Sequence, residues 1–302
     1  MIPLLGYMIH GNYSITTSAI VFFMGICTHI WGFALNDVID TKIDEKTEEL
    51  KERPMVSGEI SPKHAWFSII FFIFLTFAVS WYLGKTETLL FIIISSAFGL
   101  IYDFLGKKIY GSDYFISLWA FFLYLAGYSV AGKIDNTAIY SGLIIFFNIL
   151  VFNTVGNLKD IKGDIESKSK TTAIMMKCKI KDERLYVSGF FIIYIYALQS
   201  LLFISLINFY YKQNDLAVIS LIIIYIFTLA YMLKIMRPSK TKKFDKKSMW
   251  KNMAKIVSLN FGLSIIPFIL IIGRYTVFIF LLPIIWYPLF VYLEYGRMVP
   301  AS

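Results

Sequence analysis

The sequence predicts an all-α membrane protein with about nine helices that cross the bilayer. Two observations support this prediction: 58% of the 302 residues are hydrophobic while only 16% are charged, and long apolar stretches separate the charged residues. A helix needs roughly 20 mostly apolar residues to cross a bilayer core of about 30 Å. Because backbone polar groups in lipid must satisfy one another, such uninterrupted stretches are expected to be helices.

Nine charge-free stretches meet or approach this length. They are Thr17 to Asn36, Ala65 to Gly84, Thr88 to Tyr102, Tyr114 to Gly132, Asn136 to Leu158, Leu185 to Tyr211, Leu216 to Leu233, Ile256 to Gly273 and Tyr275 to Leu293. Before them, Met1 to His10 is too short to cross, and it is expected to be a surface segment or the end of a longer first helix. The N-terminus lacks the positively charged start of a cleavable signal peptide.

The Lys and Arg residues alternate between successive connectors. Alternate connectors and the C-terminal end hold 25 of them, whereas the intervening connectors hold 4, namely Lys85, Lys133, Lys212 and Arg274. By the positive-inside rule, the basic connectors face the cytoplasm. The net charge of +9 is therefore an orientation signal, which disfavours a nucleic-acid-binding function.

The cytoplasmic side is also where the chemistry is expected, because three connectors there run to about twenty residues while the opposite ones are short. No linker or change of composition divides the chain, so residues 1–302 are predicted to form a single membrane domain. Cys27 lies in a predicted span and Cys178 in a cytoplasmic connector, so no disulfide is expected.

Two polar triplets with the same spacing close the first and the fifth predicted span. They are Asp37, Asp40 and Asp44, and Asn157, Asp160 and Asp164. The spacing i, i+3, i+7 places the three side chains on one face of a helix. Asn36 adds a second stripe with Asp40 and Asp44, at intervals of four residues.

The composition of these triplets indicates a divalent cation. Like charges on one helix face repel one another, so two such faces brought together need a compensating cation. Oxygen-only ligands suit Mg²⁺, which prefers one or two carboxylates together with water and substrate phosphates. No His or Cys cluster near the triplets indicates zinc or iron, and no Walker-type phosphate loop indicates nucleotide hydrolysis.

Four elements in this order resemble those of the UbiA superfamily of intramembrane prenyltransferases. Asn36 to Asp44 resembles its first Asp-rich motif, NDxxDxxxD, and Arg53 to Ser61 resembles the RPxxSGxIS segment that follows. Tyr102 to Lys107 is similar to the YxxxxK element. Asn157 to Asp164, with Lys170-Thr171-Thr172 downstream, resembles the second Asp-rich motif and its threonine-bearing continuation.

The resemblance implies a ring of helices around a central cavity that opens sideways to lipid and is capped by the two acidic motifs. It implies Mg²⁺ as cofactor, with the ligands Asn36, Asp37, Asp40, Asp44, Asn157, Asp160 and Asp164. Arg53, Lys107 and Lys162 are the expected diphosphate ligands. Asp40, Asp164 and Tyr102 are the expected catalytic residues, with the Tyr102 ring facing an allylic carbocation.

The implied reaction is transfer of a polyprenyl group, geranylgeranyl or another length, from its diphosphate to a lipid-soluble acceptor. The leading acceptor is an aromatic quinone precursor. A glycerol-phosphate lipid hydroxyl, as in archaeal ether-lipid synthesis, and a porphyrin side chain are alternatives. Some members of the family carry a basic residue before the first motif that can receive a carboxylated acceptor, and this chain has no Lys or Arg before Lys42.

A divalent cation transporter or channel, with the acidic residues at its cytoplasmic mouth, is the alternative of another class. Transporters generally place ionisable groups near the bilayer midplane, whereas these stretches are free of charge. Among the polar residues inside the spans, Asn153 lies one turn before Asn157 and is expected to reach the acceptor or the diphosphate. Interhelical hydrogen bonds are expected for the others, His29, Asn148, Gln199 and Asn260.

Overall fold

The computed structural model describes residues 1–11, 14–45, 51, 53–210, 215–236 and 243–273. Its helices and strands in chain order are α1 (Ile2–Ile9), α2 (Ile15–Asp44), α3 (Pro54–Ser57), α4 (Pro62–Tyr82), α5 (Thr86–Leu105), α6 (Asp113–Ala131), α7 (Asn136–Glu166), α8 (Thr172–Met175), β1 (Lys179–Lys181), β2 (Arg184–Tyr186), α9 (Gly189–Tyr210), α10 (Asp215–Met236) and α11 (Lys246–Ile272). The predicted helical fold class is confirmed.

Six helices within the described residues are long and apolar enough to cross a membrane: α2, α4, α5, α6, α7 and α9. They correspond to the first six predicted stretches, although several helix ends differ from the predicted ones by a few residues. The seventh and eighth stretches lie in α10 and α11, and the ninth, Tyr275 to Leu293, lies outside the described residues. The count of nine spans therefore stays a prediction.

A short β-hairpin precedes α9 and corrects the predicted start of the sixth span. Leu185 belongs to strand β2, which pairs antiparallel with β1, and the helix begins only at Gly189. The two turn residues, Asp182 and Glu183, both have positive φ, as a two-residue hairpin turn requires. The alternating charged and apolar residues of this connector thus form strands instead of the first turn of a helix.

Packing divides the chain into two compact units, and each acidic triplet lies in a different one. Of the described residues, the first unit contains those within 1–94, 123–133 and 271–273, and the second contains those within 95–122 and 134–270. The prediction of a single domain over residues 1–302 stays a prediction.

In the first unit, α2 packs along α4. Trp31 and Leu35 of α2 and Ile69 of α4 are almost fully buried in this contact. The start of α4 is defined by Ser61, whose hydroxyl accepts a hydrogen bond from the backbone N–H of His64, and by Pro62, which suits the first helical position.

Helix α1 is also part of the first unit and is buried against protein, so it is not a surface segment. Glycines allow its close approach to neighbouring helices. A Cβ atom at Gly6 would collide with the backbone oxygen of Tyr124, and one at Gly127 would collide with that of Pro3. Small residues at such contacts are typical of helix packing in membranes.

In the second unit, α7 supplies the centre of the core. Leu150, Val155 and Leu158 are buried with Phe191 and Ile195 of α9, together with residues of α10 and α11. Asp135 begins α7 by accepting a hydrogen bond from Ala138 N at 2.9 Å. The helix then continues without interruption through the second acidic triplet to Glu166.

Three of the four polar residues for which interhelical hydrogen bonds were expected form them, and the expectation for His29 stays a prediction. The amides of Gln199 on α9 and Asn260 on α11 exchange two hydrogen bonds, and Asn148 donates to Ser264. Cys27 and Cys178 are both buried free cysteines. Burial raises the pKa of the Cys178 thiol above its ordinary value.

Candidate active site

The first acidic triplet lies on the last turns of α2, which extends beyond the predicted apolar stretch to Asp44. The helix face that includes Leu35 is buried against α4. Asn36, Asp37 and Asp40 are half-buried, and they lie on a helix that continues through the whole motif. The helical placement of this stripe is thus confirmed, while the side chain of Asp44 lies outside the described residues.

Arg53 is ion-paired with the first triplet. Its Nη1 atom lies 3.1 Å from Oδ1 of Asp37, and both side chains are about one-quarter exposed. Arg53 precedes the short helix α3, which begins at Pro54 and is followed by Gly58, a residue in the left-handed conformation with φ 80°. The predicted diphosphate ligand and a predicted metal ligand are therefore in direct contact.

The second triplet lies on the last turns of α7 and is surrounded by lysines. Asp160 Oδ2 lies 2.8 Å from Lys159 Nζ, and its Oδ1 lies 3.7 Å from Lys246 Nζ at the start of α11. The Asp164 carboxylate interacts electrostatically with Asp160, Lys107 and Lys159. Two neighbouring carboxylates on this helix end thus share a group of cations.

The turn after α5 is joined to the segment that follows α7. The backbone N–H of Lys170 donates to the carbonyl oxygen of Lys107 at 3.0 Å, and Lys170 Nζ lies 5.8 Å from the ring centroid of Tyr110. These contacts hold the YxxxxK element next to the threonine-bearing segment. Lys107, which is exposed, is thereby placed near Asp164, as the predicted site requires.

Asn157 is held by a residue that the sequence analysis did not select. Its Nδ2 atom donates to Oδ2 of Asp113 at 3.0 Å, and the same oxygen accepts a hydrogen bond from Thr172 Oγ1 at 2.6 Å. Asp113 is only 4% exposed and is the first residue of α6. No periodic spacing relates Asp113 to Asn157, which lies 44 positions later in the chain.

Lys246 is a second residue that the sequence analysis missed. It lies in a connector with many basic residues, which the positive-inside rule already explains. Its contact with Asp160 brings the start of α11 to the second triplet. Nothing in the spacing of the basic residues distinguishes Lys246 from its neighbours.

The remaining predicted residues lie on α5 and α7. Tyr102 is half-buried near the end of α5, and its carbonyl oxygen accepts a hydrogen bond from Gly106 N at 2.7 Å. Lys162 is exposed on α7. The amide of Asn153 donates to the carbonyl oxygen of Ile149 in its own helix. The assigned roles of these three residues stay predictions.

The donor set of the second triplet fits a hard divalent cation. It offers two carboxylates and one amide, all of which bind through oxygen, and Mg²⁺ commonly takes one or two carboxylates and completes its shell with water and phosphate. Among the described residues, no three His, Cys, Asp or Glu side chains form a metal-binding group on their own.

The curated relatives that match this chain are prenyltransferases by name. 4-Hydroxybenzoate geranyltransferase 1 of Lithospermum erythrorhizon is 28% identical over 145 residues, which is 47% of each chain. 4-Hydroxybenzoate octaprenyltransferase of Blochmanniella pennsylvanica (strain BPEN) is 26% identical over 158 residues, or 52% of this chain and 54% of that one. The chain thus spans about half the length of the curated relatives that it matches.

Solved structures share the fold over nearly the whole chain. A structure of digeranylgeranylglyceryl phosphate synthase has a TM-score of 0.69 at 20% identity, covering 90% of this chain and 91% of that one. A UbiA homologue from Archaeoglobus fulgidus bound to GPP and Mg²⁺ has a TM-score of 0.59 at 17% identity, covering 87% and 95%. At these identities the likeness shows the fold alone.

The model of the UbiA prenyltransferase family matches residues 1–259 of this chain. This match spans both acidic motifs, the Arg53 segment and the YxxxxK element, on which the sequence resemblance rests. The chain belongs to the UbiA prenyltransferase family.

Proposed function

We propose that this protein is a Mg²⁺-dependent prenyltransferase that transfers a polyprenyl group from its diphosphate to a lipid-soluble aromatic acceptor. The observation that carries the proposal is the end of α7, where Asp160 and Asp164 share a group of lysines and Asn157 presents an amide. Such a mixture of oxygen ligands and cations suits a metal-bound diphosphate. The six apolar helices and the family make the protein a multi-pass membrane protein.

The metal would be held by oxygen atoms of the two triplets and Asn36. These ligands are Asn36, Asp37, Asp40, Asp44, Asn157, Asp160 and Asp164. When bound, Mg²⁺ supplies Lewis-acid stabilisation of the negative charge on the leaving diphosphate. The A. fulgidus homologue that was solved with GPP and Mg²⁺ supports this choice of ion.

The chain's own cations bind the diphosphate. Arg53 grips phosphate oxygens through two parallel hydrogen bonds, while Lys107 and Lys162 act as point charges. As the allylic C–O bond breaks, its electron pair passes to the diphosphate oxygen, and these fixed cations stabilise the charge that develops there. No proton transfer is needed in this step.

The other product of that step is an allylic cation, which the π-face of Tyr102 stabilises. An electron-rich ring carbon of the acceptor then attacks the cation. A new C–C bond forms, and the ring regains aromaticity as the proton on the attacked carbon passes to an oxygen of the released diphosphate. Asn153, one turn before Asn157, is proposed to contact the acceptor or the diphosphate.

The aromatic acceptor is supported by the curated relatives, both of which are named for 4-hydroxybenzoate. We place the reaction on the cytoplasmic side, because the connectors that carry the motifs hold most of the Lys and Arg residues. We further propose that residues 1–302 act as a single catalytic domain.

The test is product formation by the purified full chain in liposomes. Labelled geranylgeranyl diphosphate and Mg²⁺ are incubated with each acceptor in turn: a 4-hydroxybenzoate, a non-carboxylated phenol or naphthol, a glycerol-phosphate lipid and a porphyrin. Mass spectrometry of the product identifies the acceptor. A prenylated aromatic acceptor is expected, EDTA should abolish its formation, and a prenylated glycerol lipid would reassign the acceptor. Divalent cation flux without any prenylated product would refute the enzyme proposal.

A further inference from the structure

Asp113 is a buried carboxylate with three hydrogen-bond donors on one oxygen. Its Oδ2 accepts from Thr172 Oγ1 at 2.6 Å, Asn157 Nδ2 at 3.0 Å and Thr154 Oγ1 at 3.4 Å. A carboxylate that is only 4% exposed is costly unless such bonds compensate for the lost water. These bonds join the start of α6 to α7 and α8.

The bond from Asn157 has a directional consequence. A carboxamide has a donor nitrogen at one end and an acceptor oxygen at the other, and a carboxylate oxygen can only accept. Because Nδ2 of Asn157 is bound to Asp113, its Oδ1 must be turned away from that carboxylate. The χ2 torsion of an Asn side chain otherwise has a broad distribution, so the bond to Asp113 restricts the orientation of the amide.

The two threonines fix Asp113 in turn. Thr154 lies one turn before Asn157 on α7, and Thr172 begins α8 in the segment that follows the second motif. Both are almost fully buried. The hydrogen bonds from Thr154 and Thr172 therefore fix the Asp113 carboxylate, which in turn accepts the bond from the Asn157 amide.

We propose that Asp113 is a positioning residue for the divalent cation, which it serves by fixing the Asn157 amide with Oδ1 available as a metal ligand. This inference rests on the proposed function in one respect, namely that Asn157 is a ligand. Residues that orient metal ligands typically account for a 10- to 100-fold difference in metal affinity. Asp113 acts through Asn157 and does not itself touch the metal or the substrate.

The experiment is a double-mutant cycle read by metal binding instead of turnover. Free Mn²⁺ is measured by electron paramagnetic resonance during titration of the full chain in detergent, with inorganic pyrophosphate present. Asp113→Leu should weaken Mn²⁺ binding about 10- to 100-fold. In an Asn157→Ala background, the same substitution should change the affinity less than about twofold, because the amide through which it acts is gone.

Controls separate this role from a purely structural one. Ser205→Ala, which removes another buried side chain that is bonded to its own helix, should bind Mn²⁺ as the wild type does. If Asp113→Leu does not fold, Asp113→Asn serves in the same cycle. Its neutral acceptor is weaker, so a loss of roughly 3- to 10-fold is expected, again only where Asn157 is present.

The outcomes distinguish the inference from the function on which it rests. An equal loss of affinity in both backgrounds, or no loss in either, would overturn the positioning role while the metal site stands. Wild-type protein that binds no Mn²⁺ with pyrophosphate would overturn the metal site itself. An unchanged affinity in Asn157→Ala alone would remove Asn157 as a ligand and the inference with it.

Discussion

The Nη1 atom of Arg53 lies 3.1 Å from Oδ1 of Asp37, so a proposed diphosphate ligand is bound to a carboxylate of the first acidic triplet. Both side chains are about one-quarter exposed. Ion pairs that remain accessible to water contribute little to stability. The pair therefore predicts a larger effect of Arg53 on substrate binding than on folding.

Arg53→Ala should lower kcat/KM for the prenyl diphosphate about 10- to 100-fold, the range expected when one charge-assisted hydrogen-bonding partner is lost. The kcat/KM of Arg53→Lys should lie between those of Arg53→Ala and the wild type, because lysine keeps the charge but cannot form the bidentate hydrogen bonds of arginine. Steady-state kinetics with labelled prenyl diphosphate measure both effects.

Lys63→Ala is the matched control, because Lys63 is an exposed cation at the start of α4. It should leave kcat/KM and the melting temperature unchanged. A fall in melting temperature that accounts for the lost activity of Arg53→Ala would assign Arg53 to folding.

The carboxylates of the two triplets should matter to turnover and not to folding. Asp40→Ala and Asp164→Ala each remove a proposed metal ligand at the end of a long helix. We expect each to reduce the Mg²⁺-dependent rate roughly a thousandfold or more, which corresponds to about 4 kcal/mol in the barrier. Single-turnover assays at saturating Mg²⁺ and thermal unfolding of each variant measure the two properties.

Glu45→Ala and Glu166→Ala serve as controls. Both glutamates are exposed, and they lie at the ends of α2 and α7, the helices that carry the two triplets. They should retain near-normal rates. If Asp40→Ala and Asp164→Ala also retained them, the metal site formed from two motifs would be refuted.

The sequence predicted the helices from the length of their apolar stretches and the polar stripes from the spacing of their residues. Asp160 and Asp164 lie on one face of α7 as their spacing indicated, and α7 continues through them. Contacts between residues that are far apart in the sequence leave no regular spacing from which they could be predicted. The bond from Asn157 to Asp113 spans 44 residues, and Lys246 reaches Asp160 from another helix, so neither could be read from spacing.

The β-hairpin was missed for a different reason. Leu185 follows the last charged residue of its connector and was therefore assigned to the apolar stretch. The backbone of Asp182 and Glu183 turns with positive φ, so Leu185 returns in a strand opposite Ile180. Hydropathy finds the apolar stretch, but the backbone conformation of the turn decides where the helix begins.

Gly127 should be intolerant of even the smallest side chain. A Cβ atom there would collide with the carbonyl oxygen of Pro3 in α1, and a backbone atom cannot rotate away as a side chain would. We expect Gly127→Ala to lower the free energy of unfolding by about 1 to 3 kcal/mol, as overpacking usually does. Thermal or denaturant unfolding in detergent measures the loss.

Gly32→Ala is the control in the same unit, because a Cβ at Gly32 meets no atom within 4 Å. It should be neutral or stabilise α2 by up to about 1 kcal/mol through helix propensity. Equal stability of both variants would show that α1 does not pack closely against α6 in solution.

The amides of Gln199 and Asn260 form a reciprocal pair between α9 and α11, with Nε2 of Gln199 2.7 Å from Oδ1 of Asn260 and a return bond of 3.0 Å. Both residues are buried. Gln199→Leu or Asn260→Leu alone leaves one buried amide without its partner. Each should lower the free energy of unfolding by about 1 to 3 kcal/mol, as measured by reversible unfolding in detergent micelles.

The double variant distinguishes a specific pair from two separate burial effects. With both amides replaced by leucine, no polar group is left unsatisfied at this contact, so the double variant should be more stable than the two single losses predict together. A coupling of about 0.6 to 1.7 kcal/mol is the range for hydrogen bonds between membrane helices. Asn208→Leu, at an exposed amide bonded to its own helix, should show no coupling to Asn260→Leu. Strict additivity of Gln199→Leu and Asn260→Leu would mean that the two amides do not stabilise the contact between α9 and α11 as a pair.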